Sequence, residues 1–276
     1  MKDKIVIITG AASGIGLATT EKFLEKGSIV VMVDINEALL NKECNKLSVN
    51  GSEVFPILAD VSKEEDCVHV INEVVEKYKR IDILINNAGV SMRSLFQDTK
   101  LSVIKKVMDI NYWGTVYCTY HALPYLIKSK GSLVAITSLA GKHGLPGRTG
   151  YSSSKFAIQG LLECIRLENL KTGLNVLTFS PNFTATNVRK AALTGNGTEQ
   201  GESPRVERNM MTAEQVARKL YNSIKRRRRD VVLTFNGVGT VVGNLFFPRL
   251  VDKFYYRFFA REPGSPLNKK VQHEKQ

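Results

Sequence analysis

The stretch Lys4-Ile5-Val6-Ile7-Ile8-Thr9-Gly10-Ala11-Ala12-Ser13-Gly14-Ile15-Gly16 decides the fold. Its first half is apolar at consecutive positions, which suits a strand buried on both faces in a parallel sheet that helices cover on either side. Its second half carries Gly10, Gly14 and Gly16 in a turn that runs into helical sequence. Glycines let a backbone turn sharply and come close to a diphosphate, whose charge the free N–H groups of a helix N-terminus favour. Gly10, Gly14 and Gly16 are read as a diphosphate cradle, with Ser13 and Ile15 among the contacts; a plain tight turn is the alternative. The Gly-Lys-Ser/Thr ending of a nucleoside-triphosphate loop is missing.

Outward from this stretch the same rhythm continues. Strand-like runs at Lys4 to Thr9, Ile29 to Asp34, Val54 to Leu58, Ile81 to Ile85, Ser132 to Thr137, Asn175 to Phe179 and Val231 to Phe235 alternate with helical segments near 15–26, 63–79, 101–128, 152–171 and 212–226. The pattern predicts a three-layer α/β/α fold around a doubly wound parallel sheet, a Rossmann fold in one domain. Residues 187–210 are polar and read as a mobile substrate loop inserted near a binding site. The domain is placed at 1–240, with a basic aromatic extension at 241–276 whose end, from about Pro266, reads as a frayed tail.

The chain has 276 residues, 43% of them hydrophobic, and a formal net charge of +13, so it can bury a sizeable core and is no disordered tail. Cys44, Cys67, Cys118 and Cys164 are scattered, with four histidines in all and no CxxC pair. That excludes a disulfide scaffold, argues against a metal site and fits a reducing compartment. The apolar run Ile5 to Ile8 is too short for a secretory leader, and a cytoplasmic location is expected. Residues 205–276 hold 16 Lys and Arg against 6 Asp and Glu, while residues 1–204 hold 23 against 20. The basicity is local, and the lack of a recognised nucleic-acid motif argues against that partner.

Asp34 ends the second strand-like run, 18 residues beyond Gly16. A carboxylate there can accept both ribose hydroxyls of an adenosine and would repel a 2′-phosphate. Ile35 and Asn36 supply no cation to offset that repulsion, so NAD is preferred to NADP. The other reading makes Asp34 a cap for the next helix.

With Asp60-Val61, Asn86-Asn87-Ala88-Gly89, Asn111, Ser138, Tyr151-x-x-x-Lys155 and Pro181-Asn182 followed by Thr186, the chain resembles the short-chain dehydrogenase/reductase family over about residues 4–235. The resemblance implies that Asp60 and Val61 lie beside an adenine. It implies too that Asn87, Ala88 and Gly89 line the cofactor cleft and that Pro181 and Thr186 adjoin the nicotinamide. The glycine usual after the proline is Asn182 here, and Ser13 stands where NADP-using relatives often carry a basic residue. Homodimers or homotetramers built through the helices carrying Asn111 and Tyr151 are also implied.

Tyr151 and Lys155, four apart, share one face of a helix. A lysine cation near the phenol would stabilise the tyrosinate and fit Tyr151 for acid–base work. Ser138, at a strand end, can donate to a substrate oxygen on which charge develops. The resemblance gives Asn111 a backbone carbonyl that helps hold a water near Lys155, a side chain that steadies a bend, and Lys155 a second bond to the nicotinamide ribose. Singly these residues also read as a surface pair, a cap and a local helix contact. Together they predict reversible hydride transfer between an alcohol and a ketone, using NAD and no metal. An NAD-binding regulatory or scaffolding protein with little turnover is the alternative.

The substrate pocket is expected from Val90 to Phe96, Ala140 to Leu145 and Phe183 to Val188 under the 187–210 loop, suiting an apolar secondary alcohol. His143 reads either as a polar contact for substrate or as a plain loop histidine. Lys225-Arg226-Arg227-Arg228-Arg229 and the aromatics between Phe246 and Phe259 admit three readings: internal packing, an oligomer contact, or peripheral attachment to an acidic membrane.

Overall fold

The computed structural model describes residues 1–49, 51–203 and 210–268. The chain runs through β1 (Ile5–Thr9), α1 (Gly14–Glu25), β2 (Ile29–Asp34), α2 (Glu37–Ser48), β3 (Val54–Leu58), α3 (Glu64–Tyr78), β4 (Ile83–Asn86), α4 (Leu101–Met108), α5 (Gly114–Lys128), β5 (Ser132–Ile136), α6 (Thr149–Glu168), β6 (Asn175–Ser180), α7 (Ala213–Lys225), β7 (Asp230–Val232), α8 (Phe235–Phe246) and α9 (Pro248–Ala260). These strands are parallel, in the order β3-β2-β1-β4-β5-β6-β7. The winding reverses between β1 and β4, which opens a crevice at their carboxyl ends.

The two-residue period of the strands divides the core into two layers. Ile5, Ile7, Val31, Val33 and Leu84 face α3, α5 and α6, where they meet Val70, Ile71, Val74, Cys118, Ala122 and Ile158. Val6, Ile8, Val30, Met32 and Ile85 face α1, α2 and α7, where they meet Phe23, Leu40, Val216 and Leu220. This is the three-layer α/β/α Rossmann arrangement that the apolar runs predict.

Several local expectations change. Segment 37–48, to which the sequence reading assigned no helix, forms α2; Asn36 caps it by accepting from Leu39 N at 3.0 Å. The single helix expected over 101–128 is interrupted between α4 and α5 by a π-helical turn, Asp109–Trp113. Phe235, assigned to the last strand, opens α8 and is 97% exposed. A domain boundary at 240 therefore falls inside α8. The 187–210 loop is anchored rather than merely polar: Leu193 is buried against Met92, and its N–H donates to Ser91 O at 2.9 Å. Its residues 204–209 lie outside the described part. In the expected tail, Pro266–Asn268 forms a 3₁₀ turn with Leu267 packed on α9's apolar cluster, and 269–276 lie outside the described residues.

The arginine run and the aromatic helices lie at opposite edges of the sheet. Arg227 donates to Lys130 O and Gly173 O, in the loops that enter β5 and β6. Those loops mark the amino edge, whereas α8 leaves from the carboxyl end of β7.

Asp82 clamps that amino edge. Its carboxylate accepts from Ile5 N at 3.0 Å and Lys4 Nζ at 2.9 Å and pairs with Arg80, while its carbonyl accepts from Ser132 N at 2.8 Å. Burial alone would raise this carboxyl's pKa, but Lys4, the Ile5 N–H and Arg80 outweigh it and hold the pKa below the usual carboxylate value. A folded value below the unfolded one adds stability that is full above the unfolded value and is lost as pH falls through the folded one. Asp82→Ala is expected to cost about 2–3 kcal/mol at pH 7 in denaturant titrations, with the difference from wild type shrinking as acid protonates Asp82.

Candidate active site

A cleft of about 490 Å³ opens at the carboxyl ends of β1 and β4. Its floor is the turn between β1 and α1. Gly10 and Gly14 take φ of +63° and +53°, conformations that suit glycine. A Cβ on Gly16 would sit 2.0 Å from Gly10 O, and one on Gly10 would meet Ala88 Cα at 2.9 Å, so the turn packs on the end of β4 with no room for side chains. Ser13 occupies the N-cap of α1 without a side-chain capping bond, which leaves first-turn amides available to an anion.

Thr9 and Asn87 hold this floor in place. Thr9 Oγ1 accepts from both Asn87 N and Ala88 N at 3.0 Å, and Asn87 Nδ2 donates to Thr9 O at 2.9 Å and Gly10 O at 3.0 Å. Thr9 was absent from the expected contacts; its signal was a hydroxyl residue at the last position of an otherwise apolar strand. The floor of the cleft is thus set by backbone packed closely enough that only glycine fits at positions 10 and 16.

Asp34 lies at one end of the cleft. Its Oδ2 accepts from Ala12 N and its Oδ1 from Asn36 N, both at 3.0 Å. It therefore ties the glycine turn to the end of β2, while Asn36 does the capping of α2. Asp60 accepts from Ser62 N at 3.0 Å and Ser62 Oγ at 2.7 Å, and Val61 packs against the start of α5 at Gly114.

At the other end, Ser138 caps the turn after β5 by accepting from Ala140 N at 3.1 Å and lines the cleft beside Tyr151. Burial pushes the Tyr151 hydroxyl above its ordinary pKa, while the neighbouring Ser138 hydroxyl and the Arg148 charge pull it back. The expected lysine effect on the phenol is not made in this arrangement. Lys155 Nζ lies 5.8 Å from the Tyr151 ring centre and donates instead to Ile136 O at 2.9 Å. Burial lowers the pKa of Lys155 to about 8.

Asn111 is fully buried in the π-helical turn. Its side chain accepts from Val90 N at 2.8 Å and donates to Val90 O at 3.0 Å and Ser154 Oγ at 2.9 Å. It joins the chain leaving β4 to the helix that carries Tyr151 and Lys155. Its carbonyl accepts from Thr115 Oγ1 at 2.7 Å.

The cleft brings together Gly10, Ser13, Gly14, Ile15, Asp34, Ile35, Asp60, Val61, Asn87, Ala88, Gly89, Ser138, Tyr151, Lys155, Pro181 and Thr186; Gly16 and Asn111 stand behind its wall. The end of the cleft around Tyr151 is walled by Val90, Leu139, Leu145, Phe183 and Val188, with Arg148 and Arg189 buried beside Lys155. Of the expected stretches, residues 92–96 and 140–144 do not line the cleft: Phe96 is exposed, and His143 packs on Tyr255 with ring centres 4.9 Å apart. Arg148 was not anticipated, since nothing in its local pattern shows that Met92 O, a sequence-distant acceptor at 2.7 Å, would hold it there.

The model of the short chain dehydrogenase family matches residues 4–196. The chain is 33% identical to dehydrogenase/reductase SDR family member 7B of Xenopus tropicalis, across 84% of this chain and 78% of that one. In fold it is similar to a short-chain dehydrogenase/reductase from Burkholderia phymatum in complex with NAD, with TM-score 0.81, 22% identity and coverage of 90% and 95%. An alcohol dehydrogenase from Thermococcus sibiricus complexed with 5-hydroxy-NADP is also similar, with TM-score 0.75, 22% identity and coverage of 84% and 96%.

The buried lysine makes the cleft a place where stability is given up. A lysine pKa lowered from its unfolded value of about 10.4 means that the unfolded chain holds more protons between pH 8 and 10.5, so this deficit is full below pH 8 and fades as pH rises. Lys155→Met should raise unfolding free energy by about 1–2 kcal/mol at pH 7 and by progressively less toward pH 10. Urea titrations across that range check both the sign and the trend.

Proposed function

The chain belongs to the short-chain dehydrogenase family, and from that premise we propose that it performs reversible hydride transfer between a small apolar secondary alcohol and its ketone, with NAD preferred. NAD(P)-linked oxidoreduction of a small alcohol or carbonyl compound is the family's chemistry. The observation that carries the sharper reading is the meeting of Ser138, Tyr151 and Lys155 in the cleft floored by the glycine turn.

A bound nicotinamide dinucleotide supplies the hydride acceptor or donor. Gly10, Ser13, Gly14 and Ile15 hold its diphosphate, Asp60 and Val61 border the adenine, and Pro181 and Thr186 border the nicotinamide. Gly16 and Asn87 keep the turn in shape, and Asn87, Ala88 and Gly89 form the facing wall. For alcohol oxidation Tyr151 takes the hydroxyl proton as hydride leaves the same carbon; for reduction it returns a proton to the oxygen. Ser138 hydrogen-bonds that oxygen and Tyr151 together, stabilising the charge that develops there. Lys155 holds the nicotinamide ribose, while Asn111 positions Tyr151 and Lys155 through Ser154.

Asp34 supports the cofactor preference. Two backbone amides hold its carboxylate at the end of β2, where a 2′-phosphate would meet like charge with Ile35 and Asn36 alongside. The apolar wall of Leu139, Leu145, Phe183 and Val188 supports an apolar substrate. One catalytic domain, a cytoplasmic site of action and a homodimer or homotetramer complete the reading. The exposed Trp113 just before α5, Tyr120 on α5 and Phe156 on α6 offer apolar surface for subunit contact. Peripheral contact with an acidic membrane belongs to it as well.

Tyr151→Phe is expected to lower kcat by at least about 10²-fold on the best alcohol in a substrate panel while leaving NADH affinity within about threefold. Unchanged turnover would reject Tyr151 as acid and base. NADH should bind more tightly than NADPH, and Asp34→Ser should narrow that gap by about tenfold or more; fluorescence titration of both cofactors measures it, and tighter NADPH binding by the wild type would reject the preference.

A further inference from the structure

We propose that the face formed by α8 and α9 docks on an anionic lipid bilayer and holds the mouth of the cleft against it. This deepens the peripheral-membrane part of the proposed function and rests on that reading only for the class of partner; hydride transfer does not depend on it.

Ten of the twenty-one large apolar side chains exposed among the described residues fall between Phe235 and Phe258. They are not scattered. On α8, Phe235, Val238, Val242, Leu245 and Phe246 follow helical spacing and make one exposed stripe. On α9 and the residue before it, Phe247, Leu250, Phe254 and Phe258 make a second, while Tyr255 and Phe259, one position further round α9, are buried on Leu139, Ala140 and Leu145. The pair is thus fixed to the catalytic loop by one face and leaves the other to its surroundings. An exposed apolar patch of this kind marks an interaction surface.

Charge chooses the partner. Arg249, Lys253, Arg257 and Arg261 recur every four residues along α9 beside its apolar stripe, and Asp252 is the only acid on either helix. A second copy docked by two-fold symmetry would bring these cations toward their own equivalents. An anionic bilayer neutralises them, and aromatic and leucine side chains enter its headgroup boundary. No helix among the described residues is long and apolar enough to cross a membrane, so contact through this face is interfacial. The Lys225–Arg229 run, at the amino edge of the sheet, faces away from this surface.

The face also meets the cleft. Phe183, part of the cleft wall, stacks on Phe258 with centres 6.0 Å apart, and Phe258 stacks on Phe254, also at 6.0 Å. Aromatic contact therefore runs without a break from the cleft wall to the exposed stripe, so docking through that stripe sets the cleft beside the bilayer.

Co-sedimentation with vesicles of phosphatidylcholine and phosphatidylserine, beside vesicles of phosphatidylcholine alone, tests the proposal. The full chain should pellet with the mixed vesicles and be released by high salt. The triple variant Leu245→Ser, Phe246→Ser, Phe254→Ser and the pair Arg249→Glu, Arg257→Glu should each lower binding about tenfold or more. Arg226→Ala with Arg228→Ala should leave it within about twofold. NADH titration shows whether each variant keeps its fold and cleft, and reads the oxidoreductase assignment independently of docking. The proposal is overturned if the wild type stays in the supernatant with both vesicle types, or if the Arg226 and Arg228 variant loses as much binding as the α9 charge reversal. It is overturned equally if sedimentation velocity shows that the triple serine variant splits an oligomer, which would make a second copy the occupant.

Discussion

The close approach of the glycine turn to the end of β4 is the constraint on which the rest of the structure depends. Gly10 and Gly16 pass so near each other and Ala88 that a single methyl group would not fit, and the Thr9 hydroxyl and Asn87 amide bind the two strand ends across that gap. Because the strands on either side wind in opposite directions, this contact closes the floor of a crevice whose walls can then diverge. Asp34 extends the same construction to β2 by holding Ala12 N. The first turn of α1 is thereby presented to the cleft.

A second set of polar contacts carries this geometry to the chemical end. Asn111 pairs with both backbone groups of Val90, just past β4, and reaches Ser154 on α6. It can do so because the π-helical turn between α4 and α5 turns its side chain inward. Ser154 in turn donates to Tyr151 O at 2.8 Å, so the chain leaving β4 and the helix that carries Tyr151 share one buried support. Lys155 is the cost of this arrangement: its ammonium is stripped of water and compensated by a carbonyl, and burial lowers its pKa accordingly. A cation kept under such strain is ready for partners that relieve it.

The C-terminal helices show how a peripheral segment joins the site. Tyr255 and Phe259 bury themselves on the loop that follows Ser138, and His143 lies between Tyr255 and Asp252, 3.9 Å from the carboxylate. Anchoring on one side frees the opposite side of the pair for contact with something else. Among the described residues the basic clusters thereby divide between two regions with separate surroundings, the loop before β7 and the side of α9 beside its exposed stripe.

Much of the fold and site was legible in the residues. Runs such as Ile5 to Ile8, apolar at every position, can be satisfied only between two helical layers, and three glycines at a strand-to-helix turn meet a steric demand that no other residue meets. The order of Asp34, Asn87, Ser138, Tyr151 and Lys155 along the chain was enough to place them at strand ends and on one helix face, because those placements follow from local periodicity. What the sequence by itself determined was therefore the architecture and the chemical inventory of the cleft. Only the tertiary structure decided that Lys155 turns to Ile136 O, that Arg148 enters the pocket while His143 leaves it, and that the arginine run and the aromatic helices part to opposite edges of the sheet. Each of these depends on a partner far away in the chain, and which distant groups become neighbours is settled by packing.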